Sequence, residues 1–290
     1  MFESPISKIA FVIAISIALI FVAVIFFSSF FSDNNKLIFC NVGQGDGAYL
    51  RLKDGLDIVI DAGPDKSILH CLGKYMPFYD KTIEVAVISH PQQDHYGGFS
   101  DILDHYNIQN FLMTPLYSSN KSFQRLLQKI RAAKILLKFP KAGSVLTIEE
   151  NTLVFFWPTE EFFTANTITE PHIPLEFKES YRDPNDFSLI FTIEGNVAKT
   201  LFTGDATQIT LNRLLNQSEI KPHVLKVPHH SSKNGLSSSF LKLADPTYAV
   251  ISVGKNNSYG HPAQTLLDML EAAKVKIRRT DKEGDIVFTF

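Results

Sequence analysis

Side chains able to hold a divalent cation concentrate in one short stretch, Ser89-His90-Pro91-Gln92-Gln93-Asp94-His95-Tyr96-Gly97-Gly98. Two imidazoles and a carboxylate within six positions, set on a strand-to-helix turn, can converge on one point. The glycine pair lets the backbone pass close beneath them. Imidazole nitrogen and carboxylate oxygen together are the donors of first-row divalent metal sites. Two further strand ends add donors: Leu201-Phe202-Thr203-Gly204-Asp205 closes on a carboxylate, and Val227-Pro228-His229-His230-Ser231-Ser232 on two imidazoles. A lone Gly-Asp often just makes a turn, and a lone His pair can simply be solvated. Three such strand ends in one chain are harder to dismiss, because a sheet gathers distant positions at one edge.

The elements that must position these residues read as an α/β body. Short apolar or alternating runs at 37–42, 48–52 and 58–60, separated by Gly43, Gly45, Gly47, Asp54 and Gly55, predict hairpins. The run 85–89 predicts a buried strand that stops at His90-Pro91. A second strand series falls at 152–156, 189–193, 200–203, 224–227 and 249–253, with a closing strand at 285–290. Helices are predicted at 121–134, where Phe123, Leu126, Leu127 and Ile130 recur at helical spacing, and at 265–273. Strands lead in each half and helices follow, an order that two similar halves would produce. Residues 158–185, with four prolines and six acids against Lys178 and Arg182, are too long for an ordinary connection, so the stretch is either disordered or a functional flap.

The 290 residues are 45% hydrophobic and 20% charged, which excludes collagen-like, low-complexity and disulfide-framework classes. A net charge of −2 supplies no global positive field, so any nucleic acid must be held locally. Cys40 and Cys71 can form one disulfide in an oxidising compartment or remain two buried thiols. From Ile9 to Phe31 no residue is charged. That run exceeds the ~20 residues a helix needs to cross ~30 Å of hydrocarbon. It is also longer than the ~7–15 residues of a signal-peptide core and ends without a small-x-small site. An uncleaved transmembrane anchor at 1–32 is therefore predicted ahead of a body at 33–290. Lys8 before the run, against Asp33 and Lys36 after it, places the body outside the cytoplasm.

In order along the chain, Asp61-Ala62-Gly63, His90-x-x-x-Asp94-His95-x-Gly97-Gly98, Thr203-Gly204-Asp205 and Pro228-His229-His230 resemble the metallo-β-lactamase fold. More narrowly, Val42-Gly43-Gln44-Gly45-Asp46, Asn185-Asp186-x-Ser188-Leu189, His229-His230-Ser231-Ser232, Tyr259-Gly260-His261-Pro262 and Arg279-Thr280-Asp281 resemble the soluble hydrolase domain of ComEC-type competence proteins. The resemblance covers about 37–290 and implies a four-layer αββα sandwich with its metal site at one edge of the two sheets. It puts His90 on the first site's opening ligand, Asp94 and His95 on the second site, and Asp205 on the metal-bridging carboxylate. His230 falls on the last ligand and His229 beside it, as neighbour or substrate contact. Asp61 falls on a residue that orients a ligand imidazole, and Gln44 and Gln92 on supporting positions.

Two departures bear on the metal. The wider family has a second His where this chain has Gln92, and another near Asn185-Asp186. One or two divalent ions are implied, the first site being either empty or completed by Asp186 and water. Fewer imidazoles and more carboxylate oxygens favour Mn²⁺ or Mg²⁺ over Zn²⁺. Hydrolysis is the reaction class such a centre supports. Asp94 can orient the nucleophile, His261 can protonate the leaving oxygen or bind a phosphate, and Asp46 joins them as a catalytic candidate on a Gly-rich rim. Lys121, Arg125 and Lys129 recur every four residues on one helical face and can track a phosphate backbone, or form an ordinary solvated face. The resemblance implies a phosphodiesterase acting on DNA. ComEC-type proteins add a multi-helix channel, so DNA transport here would require a separate channel protein. The competing readings are a lactam or thioester hydrolase with a compact pocket, and a binding protein that has lost the chemistry.

Overall fold

Apolar runs bounded by glycine pair edge to edge into two seven-stranded sheets. The computed structural model describes residues 5–30, 34–217 and 219–290, with side chains in the first segment described for 9–24. The first sheet runs in the spatial order Ile286–Thr289, Lys36–Phe39, Gly47–Arg51, Asp57–Ala62, Thr82–Ile88, Asn107–Met113, Leu136–Lys138. The second runs Lys276–Arg279, Tyr248–Ile251, Val224–Lys226, Thr200–Phe202, Ile190–Glu194, Asn151–Trp157, Val145–Ile148. Each sheet is antiparallel on one side and parallel on the other.

Between the sheets, Leu37, Phe39, Leu50 and Val87 of the first meet Phe155, Phe191, Phe202 and Val250 of the second. Phe39 stacks on Phe202 across the sheets with centroids 5.9 Å apart, and Phe202 on Phe191 within the second sheet at 5.3 Å. Helices cover the outer faces, burying Ile68, Leu72, Phe99 and Phe123 on the first sheet and Phe240, Leu241, Leu266 and Leu270 on the second. Two facing sheets with helices outside are the αββα arrangement. Helix Lys121–Ala132 shows how the layers hold. Phe123, Leu126, Leu127 and Ile130 are all buried, and Asn120 caps the helix by accepting from Ser122 N–H at 2.9 Å. Each buried side chain contributes ~1.5–3 kcal/mol against ~1 kcal/mol for the cap, so packing decides its position.

The helix at Pro5–Phe30 exposes every described side chain from Ile9 to Val24, and part of the expected 9–31 span lies outside the described residues. Among the described residues no helix is long and apolar enough to cross a membrane. Residues 158–185 are not disordered. They form helix Glu160–Asn166, capped by Thr159, and a short ribbon pairing Thr167–Ile168 with Glu179–Ser180. Ile173 and Phe177 bury this segment in the outer core of the first sheet. Cys40 and Cys71 are bonded, Cα atoms 5.8 Å apart, tying the end of strand Lys36–Phe39 to helix Ile68–Tyr75. The basic stripe is partly neutralised: Lys129 Nζ donates to Asp104 at 2.7 Å and to the Ser100 carbonyl at 2.9 Å, while Arg131 pairs with Glu176.

Candidate metal centre

The carboxyl ends of the parallel strands open onto one edge of the sandwich. Asp61 closes Asp57–Ala62, Ser89-His90 follows Ile88, Asp205 follows Phe202, His229-His230 follow Lys226, and Ser252 follows Ile251. The short helix Gln93–Tyr96 packs against the Asp61 turn because Gly97 and Gly98 have no side chain. A Cβ at Gly97 would collide with the Pro64 carbonyl, and one at Gly98 with that of Ala62.

One donor atom from each of Asp94, His95, Asp205 and His230 lies within 4.8 Å of the others. His95 Nε2 is 3.3 Å from Asp205 Oδ1 and 3.9 Å from Asp94 Oδ2. His230 Nε2 is 3.3 Å from both Asp94 Oδ2 and Asp205 Oδ2. The opposite ring nitrogens are held from behind. His95 Nδ1 meets Asp61 Oδ2 at 2.8 Å, and Asp61 in turn accepts the Ser89 N–H at 2.8 Å and hydroxyl at 2.7 Å. His230 Nδ1 meets the Ser252 carbonyl at 3.0 Å. These partners leave each Nε2 for the cluster. The His90 ring lies 4.2 Å from that of His95. Buried His90 Nε2, His95 Nε2 and Asp205 Oδ1 have no hydrogen-bond partner. Such atoms cost ~1–3 kcal/mol each when nothing satisfies them. Two carboxylates and two or three imidazoles with orphaned, converging atoms fit a divalent cation.

Among themselves the groups settle as imidazolium–carboxylate pairs. Burial works against charge on His95 and His230, but Asp205 with Asp61 raises the first and Asp205 with Asp46 the second, both well above the usual imidazole value. Burial would raise Asp205 and Asp94; the neighbouring imidazoles instead hold both below the usual carboxylate range. His90 is pushed down to about 3 by burial and by His95. The backbone is strained here: His229, His230 and Ser231 have φ of 50°, 49° and 64°, and Asp61 has 53°. Left-handed conformation costs ~1–2 kcal/mol per non-glycine residue and collects at functional sites.

The other expected residues divide. Gln44, Gln92, Asp94, Asp205, His229, His230 and His261 line one cleft of about 600 Å³. Asp94 reaches into it with its side chain 32% exposed. Gln44 Oε1 accepts the Gly254 N–H at 3.1 Å. His261 has an unpartnered Nδ1, and burial with the His230 and His229 rings holds it below its usual pKa. His229 Nε2 stands 4.0 Å from Asp205. Asp186 turns away, its Oδ1 accepting the Thr207 hydroxyl at 2.8 Å and that of Thr210 at 3.1 Å, so it does not join the cluster. Asp46 is buried beneath the site rather than on its rim. Burial opposes its charge, while Lys226 and His230 hold the carboxyl low.

Sequence reading missed Lys226, whose ammonium meets Asp46, and gave no role to Tyr259, 70% exposed at the mouth of the cleft. The signal for Lys226 was a lone cation in the otherwise apolar Val224-Leu225-Lys226-Val227 run.

Helix-flanked facing sheets that deliver carboxylates and imidazoles to one cleft define an αββα protein with a candidate metal centre. The metallo-beta-lactamase superfamily model matches residues 41–255, and the chain belongs to that superfamily. It is 26% identical over 280 residues to ComE operon protein 3 of Bacillus subtilis, covering 89% of this chain and 33% of that one. It is 26% identical over 255 residues to Recombination protein 2 of Haemophilus influenzae, covering 86% of this chain and 28% of that one. The chain thus spans about a third of the length of these relatives. Among solved structures it is similar to the metallo-beta-lactamase fold protein YhfI of Bacillus subtilis, with TM-score 0.57 and 10% identity over 88% of this chain and 100% of that one.

Proposed function

We propose that the chain is a metal-dependent phosphodiesterase acting on DNA, with Asp94, His95, Asp205 and His230 holding the ion and His90 beside them. The observation that carries the reading is the converging four-donor cluster at the floor of an open cleft, in which His95 Nε2 and Asp205 Oδ1 have no hydrogen-bond partner. A divalent ion bound there supplies Lewis-acid charge and lowers the pKa of water toward neutrality. A mixed set of two carboxylates and two or three imidazoles suits a first-row ion such as Mn²⁺ or Zn²⁺. Asp94, the cluster member most open to the cleft, is placed to orient the attacking water. His261, its pKa lowered, stays neutral at pH 7 and serves a phosphate oxygen through a ring N–H rather than as an acid. A wide cleft suits a polymer better than a compact lactam, and exposed Lys121 and Arg125 offer phosphate contacts beyond it.

The competence and recombination relatives support DNA as the substrate, and a separate channel protein as partner if the strand is to be moved. The uncharged 9–31 run supports a membrane anchor, and the Cys40–Cys71 bond supports an oxidising, extracytoplasmic compartment. The test is a panel of labelled single-stranded DNA, duplex DNA, a chromogenic lactam and a thioester with Mn²⁺, Mg²⁺ or Zn²⁺. Metal-dependent cleavage of DNA is expected. Turnover of only the lactam or thioester would replace the reading with the small-molecule one.

A further inference from the structure

Four carboxylates, Asp46, Asp61, Asp94 and Asp205, crowd around His95 and His230, and one ammonium lies among them. Lys226 is 3% exposed and is the one buried lysine or arginine among the described residues. Its Nζ pairs with Asp46 Oδ2, donates to the Gly204 carbonyl at 3.1 Å and stands 3.8 Å from Asp205 Oδ1. Asp46 in turn backs both imidazoles: its Oδ1 is 3.3 Å from His230 Nδ1, and its Oδ2 is 3.7 Å from His95 Nδ1. The ammonium therefore touches the ligand set twice, directly at Asp205 and through Asp46 at the histidines.

We propose that Lys226 is a built-in counter-ion that tunes the metal centre, holding its cation affinity below what its carboxylates alone would give. Two effects act in the same direction. A fixed positive charge beside Asp205 repels a dication in a poorly screened interior. By drawing on Asp46, Lys226 also weakens the carboxylate support that makes ligand imidazoles more basic. With one divalent ion, the four carboxylates and the ammonium sum to −1; without Lys226 they would sum to −2. A less neutralised ion keeps more charge for a transition state. Lys226 is a positioning residue in this role, since it acts through Asp46 and Asp205.

The inference rests on the metal reading above but not on the substrate. Its test is Mn²⁺ affinity, measured by competition with a fluorescent chelator on the chelator-stripped full chain. Lys226→Met should bind Mn²⁺ about tenfold tighter or more, and Asp46→Asn, which leaves the ammonium uncompensated, about tenfold weaker or more. The double variant, which removes both charges, should return to within about threefold of the unaltered chain. A lysine that only supports the fold predicts losses in all three, without compensation. Unchanged or weaker binding by Lys226→Met overturns the proposal. If that variant does not fold, the remaining pair decides: a double variant no better than Asp46→Asn overturns it, and restored binding supports it. An unaltered chain that binds Mn²⁺ but cleaves no phosphodiester sinks the functional reading alone, whereas one that binds none of Mn²⁺, Mg²⁺ and Zn²⁺ sinks both.

Discussion

Loading the centre with a divalent ion must expel protons, and the structure says how many. His95 and His230 sit among carboxylates that raise both imidazoles well above the usual value, so at pH 7 each carries a proton on both ring nitrogens. Asp61 and the Ser252 carbonyl retain the Nδ1 protons, so a cation displaces the proton on each Nε2. His90, pushed down to about 3, is already neutral and gives up none. Asp94 and Asp205 are held low and give up none either. Mn²⁺ binding at pH 7 should therefore release about two protons, and affinity should rise ~100-fold per pH unit until the raised imidazole values are passed. Calorimetric titration in two non-chelating buffers of different ionisation enthalpy counts the protons directly. Release of fewer than one proton, with affinity flat between pH 6 and 7, would refute the reasoning. The sign of the stability effect follows from the same groups. In chelator-stripped protein the two histidines contribute stability that is fully present below their unfolded value of 6.5 and lost as pH rises through the raised native values. The lowered carboxylates contribute stability present above 3.8 and lost as pH falls through their native values.

Asp61→Ala removes the group that orients His95 and should weaken metal binding ~10–100-fold, with the circular dichroism spectrum unchanged. Cys40→Ser/Cys71→Ser opens a cross-link spanning 31 residues and should cost about 4 kcal/mol in urea unfolding; a loss under ~1 kcal/mol would show that the bond adds little. Lys121→Ala and Arg125→Ala should each lower the salt dependence of single-stranded DNA binding by ~0.7 in log–log slope. Lys129→Ala should leave that slope unchanged, because Lys129 is already spent on Asp104 and Ser100.

Strand ends bearing His, Asp and Gly were legible in the sequence because buried strands are apolar runs and their termini stand out against them. The helix at 121–132 was legible for a similar reason: its four buried residues keep helical spacing through a charged background. Strand Lys276–Arg279 was not, since Lys276, Arg278 and Arg279 leave one apolar side chain and its pairing is supplied by Tyr248–Ile251. The 158–185 segment misled because prolines and acids dominate its composition, while two apolar residues four positions apart, Ile173 and Phe177, anchor it. At the site, residue types were readable but directions were not. Asp46 and Asp186 are both carboxylates on polar turns, and their neighbours Lys226 and Thr207 with Thr210 decide where they point.

Metal-dependent DNA cleavage by Asp205→Ala, set beside that of the unaltered chain, tests the central claim most directly. Asp205 contacts both ligand imidazoles, so its loss should abolish high-affinity Mn²⁺ binding and lower cleavage by at least ~100-fold while the fold persists. Cleavage that survives the substitution undiminished would contradict the assignment of this cluster as the seat of the chemistry.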